Sequence, residues 1–180
     1  MTAESIEIRL LKRSDLPAFN EHFARHQAES GRDGEYFMPV SPDDPSEPIG
    51  LDPARFEAAL DVPGWQRWFV AIDPAAKRIV GHADLSGDRL RAGLHRCEVG
   101  VGIEEPWRGR GLGRRLMSHA IAFARQADSI AWVDLRVFAH NERARGLYRS
   151  LGFTEIGTVV DRFRIQGSSI DDVLMTLHVG

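Results

Sequence analysis

The sequence predicts an α+β (mixed α/β) fold: one domain over residues 1–180, with a mixed, mostly antiparallel sheet of about seven strands flanked by about four helices. Alternating or apolar runs typical of strands are interspersed with amphipathic stretches. At the centre of the chain a strand, a glycine-rich loop and a helix follow one another between Arg96 and Gln126. Two strand-like runs joined by a short turn at Pro74–Lys77 make part of the sheet antiparallel.

Each element has its own signal. Ile6-Glu7-Ile8-Arg9-Leu10 alternates as a half-buried strand does, and Ser14-Asp15 offers an N-cap to a helix in which Leu16, Phe19 and Phe23 repeat up to about Arg25. Between Gly31 and Gly50, Pro39, Pro42, Pro45 and Pro48 bar regular helix, so this is a long surface loop, and it carries Asp43, Asp44 and Glu47. Asp52-Pro53 opens a short helix to about Leu60. Trp68–Asp73, Ile79–Leu85 and Arg96–Ile103 are strands, followed by a helix from about Gly111 to Gln126 with Leu112, Leu116, Ala120, Phe123 and Ala127 on one face. Ile130–Phe138 has the apolar character of a strand buried on both sides. Asn141 caps another helix that ends before Gly152, and the runs 153–160 and 172–179 close the chain as strands.

The chain has 180 residues, 43% hydrophobic and 27% charged, which is ordinary for a soluble domain able to bury its own core. A net charge of −3 argues against general nucleic-acid or membrane-surface binding. Cys97 is the sole cysteine, which excludes an internal disulfide and a cysteine-built zinc site. No basic-then-apolar leader and no apolar run approaching ~20 residues is present, so a cytoplasmic protein is expected.

Against that mildly acidic background Arg108-Gly109-Arg110-Gly111-Leu112-Gly113-Arg114-Arg115 stands out. Its glycines let backbone pass close to a ligand, and the helix that follows turns free N–H groups and a partial positive charge toward the same point. The amides of Gly109, Arg110, Gly111, Leu112, Gly113 and Arg114 therefore form a cradle for phosphates. The loop lacks the Gly-Lys-Ser/Thr ending of a nucleotide P-loop and the G-x-G-x-x-G order of a dinucleotide fold.

What the chain does have is Arg108-x-x-Gly111-x-Gly113 after Val99-Gly100-Val101-Gly102-Ile103, then Asn141-x-x-Ala144-x-x-Leu147-Tyr148-x-x-x-Gly152-Phe153. This pair of segments resembles the hallmarks of the Gcn5-related N-acetyltransferase (GNAT) superfamily, closely over residues 96–160, and no hallmark position is lost. The strand Glu98–Ile103 is similar to the phosphinothricin-acetyltransferase-like small-molecule branch. The resemblance implies a sheet splayed into a V with acetyl-CoA, the co-substrate, inserted at the split. It implies that Val101, Gly102 and Ile103 line the pantetheine arm, Val101 and Ile103 through their backbones, that Arg108–Arg114 takes the pyrophosphate, and that Asn141 contacts the cofactor. A homodimer is the family-level expectation for assembly.

Acetyl transfer from a thioester to an amine needs a base for the amine, a donor for the oxyanion and a proton for the thiolate. The resemblance makes Tyr148 the general acid, with a core tyrosine as the alternative, and a backbone N–H of Val101 or Ile103 the oxyanion donor. Glu98 is the candidate base, because a carboxylate inside a sheet is costly unless used or paired. The alternative is a salt bridge to Arg96 or Arg136. Cys97 reads as a buried small residue rather than a nucleophile. His22 and His26 have the i, i+4 spacing of a two-histidine metal site, but no third ligand is evident and no metal site is assigned. Arg143 and Arg145 are placed to reach the coenzyme's 3′-phosphate.

The expected function is N-acetylation of a primary amine, in a small molecule or a peptide, by direct attack in a ternary complex. The alternative is a non-catalytic acyl-CoA-binding sensor. The acceptor-binding residues are expected within about 19–50 and 155–172, where Asp43, Asp44 and Glu47 could attract a cationic amine.

Overall fold

A computed structural model describes residues 6–39 and 52–180. The sheet comprises β1 (Glu7–Leu10), β2 (Gln66–Asp73), β3 (Arg78–Gly87), β4 (Arg96–Ile103), β5 (Trp132–Phe138), β6 (Thr154–Ile165) and β7 (Ser168–His178). The helices are α1 (Leu16–Gln27), α2 (Pro53–Glu57), α3 (Leu112–Gln126) and α4 (Glu142–Ser150). The strand order is β1-β2-β3-β4-β5-β7-β6, and every neighbouring pair is antiparallel except β4 and β5. That parallel pair is connected through α3, as parallel strands must be by a crossover.

Alternation along each strand assigns the two faces. Cys97, Val99, Val133, Leu135 and Met175 join Leu112, Leu116, Met117, Ala120 and Ala124 of α3 in the larger core, which also takes Tyr148 of α4. On the other face α1 lays Phe19 and Phe23 against Trp68, Val70 and Ile79. Glu98, Gly100 and Gly102 of β4 alternate with the core residues and so belong to the α1 face.

The decisive feature lies between β4 and β5. They pair only from Arg96–Glu98 to Trp132–Asp134. From Val99 to Ile103 the edge of β4 that faces β5 has no strand against it, so the sheet opens as a V.

Several boundaries differ from those the sequence predicts. Asp15 precedes α1 but does not cap it: its carboxylate accepts from Arg9 at 2.6 and 2.9 Å and from the Lys12 N–H at 2.8 Å. The helix after Asp52 stops at Glu57, three residues early, although Asp52 does cap it by accepting from the Ala54 N–H. β5 is not buried on both faces along its length, because Asp134 and Arg136 line an open cleft and only Phe138 on their face is buried. The last two strands are longer than predicted and meet at a tight turn where Gln166 and Gly167 both have positive φ (46° and 80°), as a two-residue hairpin of this twist requires. Asp43, Asp44 and Glu47, with most of the proline-rich loop, lie outside the described residues.

Candidate active site

The floor of the site is the loop from Arg108 to α3. Gly109 and Gly111 hold φ of 77° and 79°, which only glycine adopts without strain, and they turn the chain into α3. The first intrahelical bond runs from the Arg115 N–H to the Gly111 carbonyl, leaving the amides of Leu112, Gly113 and Arg114 at a bare helix start. A side chain on Gly111 would meet nothing within 4 Å, so the approach is open, while the Arg143 guanidinium stands 3.3 Å from where one on Gly109 would lie. Bare amides, a helix N-terminus and a nearby guanidinium fit a pyrophosphate.

The arginines divide by role. Arg108 turns its side chain away from the cradle: it donates to the Ile103 carbonyl (2.9 Å), pairs with Glu29 and lies over the Phe37 ring, tying the segment after α1 to the end of β4. Its N–H is also engaged, to the Glu105 carbonyl. Arg110 packs over Trp107, and Arg114 donates to Ser150 Oγ at 2.6 Å. Arg145 is held by Glu142 and Glu155, so of the two arginines considered for the 3′-phosphate it is Arg143 that stands at the loop.

Above the floor runs the open edge of β4, with Val101, Gly102 and Ile103, whose alternating amides and carbonyls can receive an extended ligand as an added strand would be received. Asn141 caps α4 by accepting from the Ala144 N–H, at the mouth of the opening after β5. Tyr148 is buried in the core beside Phe153, and among the described residues its hydroxyl forms no hydrogen bond. Burial pushes that phenol up to about 12, so it carries its proton at neutral pH.

The α1 face of the V has a roof and a cleft. Tyr36, Phe138, Ile165 and Ile170 cluster to roof its upper part, with His140 Nε2 donating to the Tyr36 carbonyl. Below lies a polar cleft of about 780 Å³, lined by Gln66, Ser86, Arg96, Glu98, Arg136 and Leu174 among others. Glu98 sits at this cleft with its side chain 56% exposed, 3.6 Å from Arg136, which also pairs with buried Asp172 at 3.1 Å. Arg96 is committed to Asp134. The burial that made Glu98 a candidate base is therefore absent, and the salt bridge to Arg136 is present.

A second carboxylate inside the sheet beside the split is Asp84 of β3, which no sequence motif marks. It lies opposite Gly100, is half-buried, and forms no ion pair among the described residues. Burial, reinforced by the charge of Glu98, raises its carboxyl to about 7. The available signal is an acidic residue next to the end of the mostly apolar run Ile79–Leu85.

The histidines form a structural network. Glu104 accepts from His22 Nδ1 at 2.9 Å, and His22 Nε2 meets His82 Nδ1 at 2.9 Å. Burial opposes ionisation of Glu104, but hydrogen bonds from His22 and Arg25 prevail and hold it below the usual carboxylate range. With Glu104 an anion, His22 must donate from Nδ1 and His82 from its own Nδ1, which locks α1 to β3. His22 and His26 stack in parallel rather than converging, and among the described residues no group of three or more ligands could hold a metal. Cys97 is buried and its thiol is pushed by burial up to about 12, which keeps it protonated at neutral pH, as suits a packed small residue.

A splayed sheet, bare amides at the start of α3 and a buried phenol on α4 fit an acyl-CoA-dependent transferase. Residues 25–153 match the Acetyltransferase (GNAT) family, and the chain belongs to that family. It is an N-acetyltransferase with acetyl-CoA as donor. It is 29% identical over 141 residues to the ribosomal protein uS5 alanine N-acetyltransferase of Escherichia coli, covering 70% of this chain and 72% of the relative. In fold it resembles a GNAT acetyltransferase from Streptococcus pneumoniae (TM-score 0.82, 20% identity, 97% and 99% of the two chains). It also resembles a spermidine N-acetyltransferase from Vibrio cholerae solved with CoA and spermine (TM-score 0.72, 22% identity, 98% and 96%). No helix among the described residues is long and apolar enough to cross a membrane.

Proposed function

We propose that this enzyme acetylates a primary amine, on a small molecule or at a peptide terminus, by direct attack within a ternary complex. The observation that carries the proposal is the unpaired β4 edge from Val99 to Ile103, leading from the bare amides at the start of α3 to the cleft on the α1 face. Bound acetyl-CoA supplies an acetyl group activated as a thioester. The amides of Gly109–Arg114 and the guanidinium of Arg143 hold its phosphates, and the backbones of Val101 and Ile103 hold its arm. One of those two amides donates to the developing oxyanion. Tyr148, protonated and without a hydrogen-bond partner among the described residues, gives its proton to the leaving sulfur.

The acceptor enters from the cleft. The mixed charges there, Glu98 beside Arg136 and Arg96 beside Asp134, suit a polar amine rather than an apolar one. That agrees with a relative acting on a protein alanine and a fold neighbour holding spermine. The test is release of free CoA thiol from acetyl-CoA across amino acids, polyamines and short peptides, with calorimetric titration of acetyl-CoA alongside. Thiol release with one amine class supports the proposal. Tight binding with no release by any amine overturns it in favour of a sensor, and no binding overturns the cradle.

A further inference from the structure

We propose that Asp84 on β3, and not Glu98 on β4, is the group that takes the proton from the incoming amine. This rests on the acetyltransferase reading of the preceding section.

Position comes first. β4 last pairs with β5 at Glu98, and two residues on, where the V has begun to open, Gly100 faces Asp84 across the β3–β4 ladder. A β-carbon on Gly100 would lie 2.5 Å from Asp84 Oδ1, so the carboxylate rests over bare backbone at the apex of the split. Only glycine at 100 leaves it that place. Asp84 thus stands on the α1 face, two residues along β3 from Ser86, which lines the cleft, and one residue along the ladder from the Ala83–Val101 pair.

The surroundings come second. A half-buried carboxylate without a cation is costly, and the charged groups that could relieve Asp84 are occupied elsewhere. Arg136 of β5 serves Asp172 and Glu98, and Arg96 of β4 serves Asp134. His82, two residues before Asp84 on the same face, is held neutral by burial and turns Nδ1 to His22 of α1. His26, also of α1, is pushed down by burial to about 3 and is neutral as well. Among the described residues Glu98 is the one charged group that acts on Asp84, and it acts by repulsion. The result is a carboxyl poised near neutrality, where a base both accepts a proton and gives it up again.

The proton account closes. An ammonium acceptor gives one proton to the Asp84 carboxylate, and its nitrogen then bonds to the acetyl carbon as the carbon–sulfur bond breaks. Tyr148 protonates the sulfur and regains a proton from the acylated nitrogen, and Asp84 releases its own to water. The products are an amide, the free thiol and one proton. Because the carboxylate is the active form, turnover rises with pH through about 7 and is lost below it.

Two measurements test this. Carbon-detected NMR of the protein without ligands follows the Asp84 carboxyl directly. We expect a midpoint near 7 that moves to lower pH in Glu98→Gln, and a midpoint below 5 overturns the proposal. Thiol release is then compared in Asp84→Asn, an isosteric change whose folding is checked by unaltered acetyl-CoA binding. We expect at least a hundred-fold lower turnover with the acidic limb of the pH profile gone, and partial recovery in Asp84→Glu. Turnover within three-fold of the parent with the limb intact overturns the role. A parent enzyme that releases no thiol with any amine overturns instead the acetyltransferase reading on which the role depends.

Discussion

Tyr148→Phe removes one oxygen and nothing else from the core beneath the split. The ring is buried against Phe153, and among the described residues its hydroxyl forms no hydrogen bond, so the change breaks no polar contact there. The oxygen is not sealed from solvent, so its removal recovers no buried-group penalty. For a chain of this length about 1 kcal/mol corresponds to roughly 2–4 °C in Tm, so Tm should stay within that range of the parent. Turnover, by contrast, falls. Loss of a general acid lowers it about 10²–10⁴-fold, equivalent to about 2.7–5.4 kcal/mol of transition-state stabilisation. The phenol is pushed by burial up to about 12, so it stays protonated across pH 6–9 and the deficit should be constant over that range. The assay is thiol release at saturating acetyl-CoA, paired with calorimetry showing a Kd within two-fold of the parent. Turnover within three-fold, or a deficit that disappears at one end of the pH range, would refute the acid role and leave Tyr148 a packing residue. A merely structural tyrosine would show its worth in Tyr148→Ala, which excavates the core at about 3–5 kcal/mol.

Two further outcomes follow from the same geometry. Gly111→Val forces a β-branched residue to φ near 79°, a strain of about 1–2 kcal/mol, and places its side chain in the open approach to the cradle; the protein should fold with a lower Tm and lose measurable acetyl-CoA binding by calorimetry. Stability should also fall in mild acid. Burial holds His22, His26 and His82 below their unfolded value of 6.5, so the stability they contribute is complete above 6.5 and is lost as pH drops below it, by up to about 1.4 kcal/mol per histidine per pH unit; thermal melts from pH 8 to 5 that show no decline would contradict this.

The local backbone features of the proposed site are legible in the sequence. Gly109, Gly111 and the start of α3 are contiguous, and so are Asn141 and Tyr148, whose spacing on one helix carries its own meaning. The base was less readable, because a carboxylate's cost depends on its neighbours across the sheet. Arg136 reaches Glu98 only because β4 and β5 run side by side, and Gly100 yields space to Asp84 only through the β3–β4 register. Neither relation is local in sequence. The extent of β6 was hidden for another reason. Its outer positions, Asp161, Arg162 and Arg164 among them, are exposed at the sheet edge, so no alternation of apolar and polar residues marks them as strand.

The α1 face of β4 bears glycine at both 100 and 102, and the space over them is filled from outside by Asp84, His82 and His26. At these two positions β4 offers only main chain, and the side chains that lie over it come from β3 and α1. The charges of Arg96, Glu98 and Arg136 line the cleft further down. On the proposed reading, a library confined to His82, Asp84 and His26 therefore varies the acceptor's surroundings at the split while the start of α3 and the open edge of β4 stay untouched.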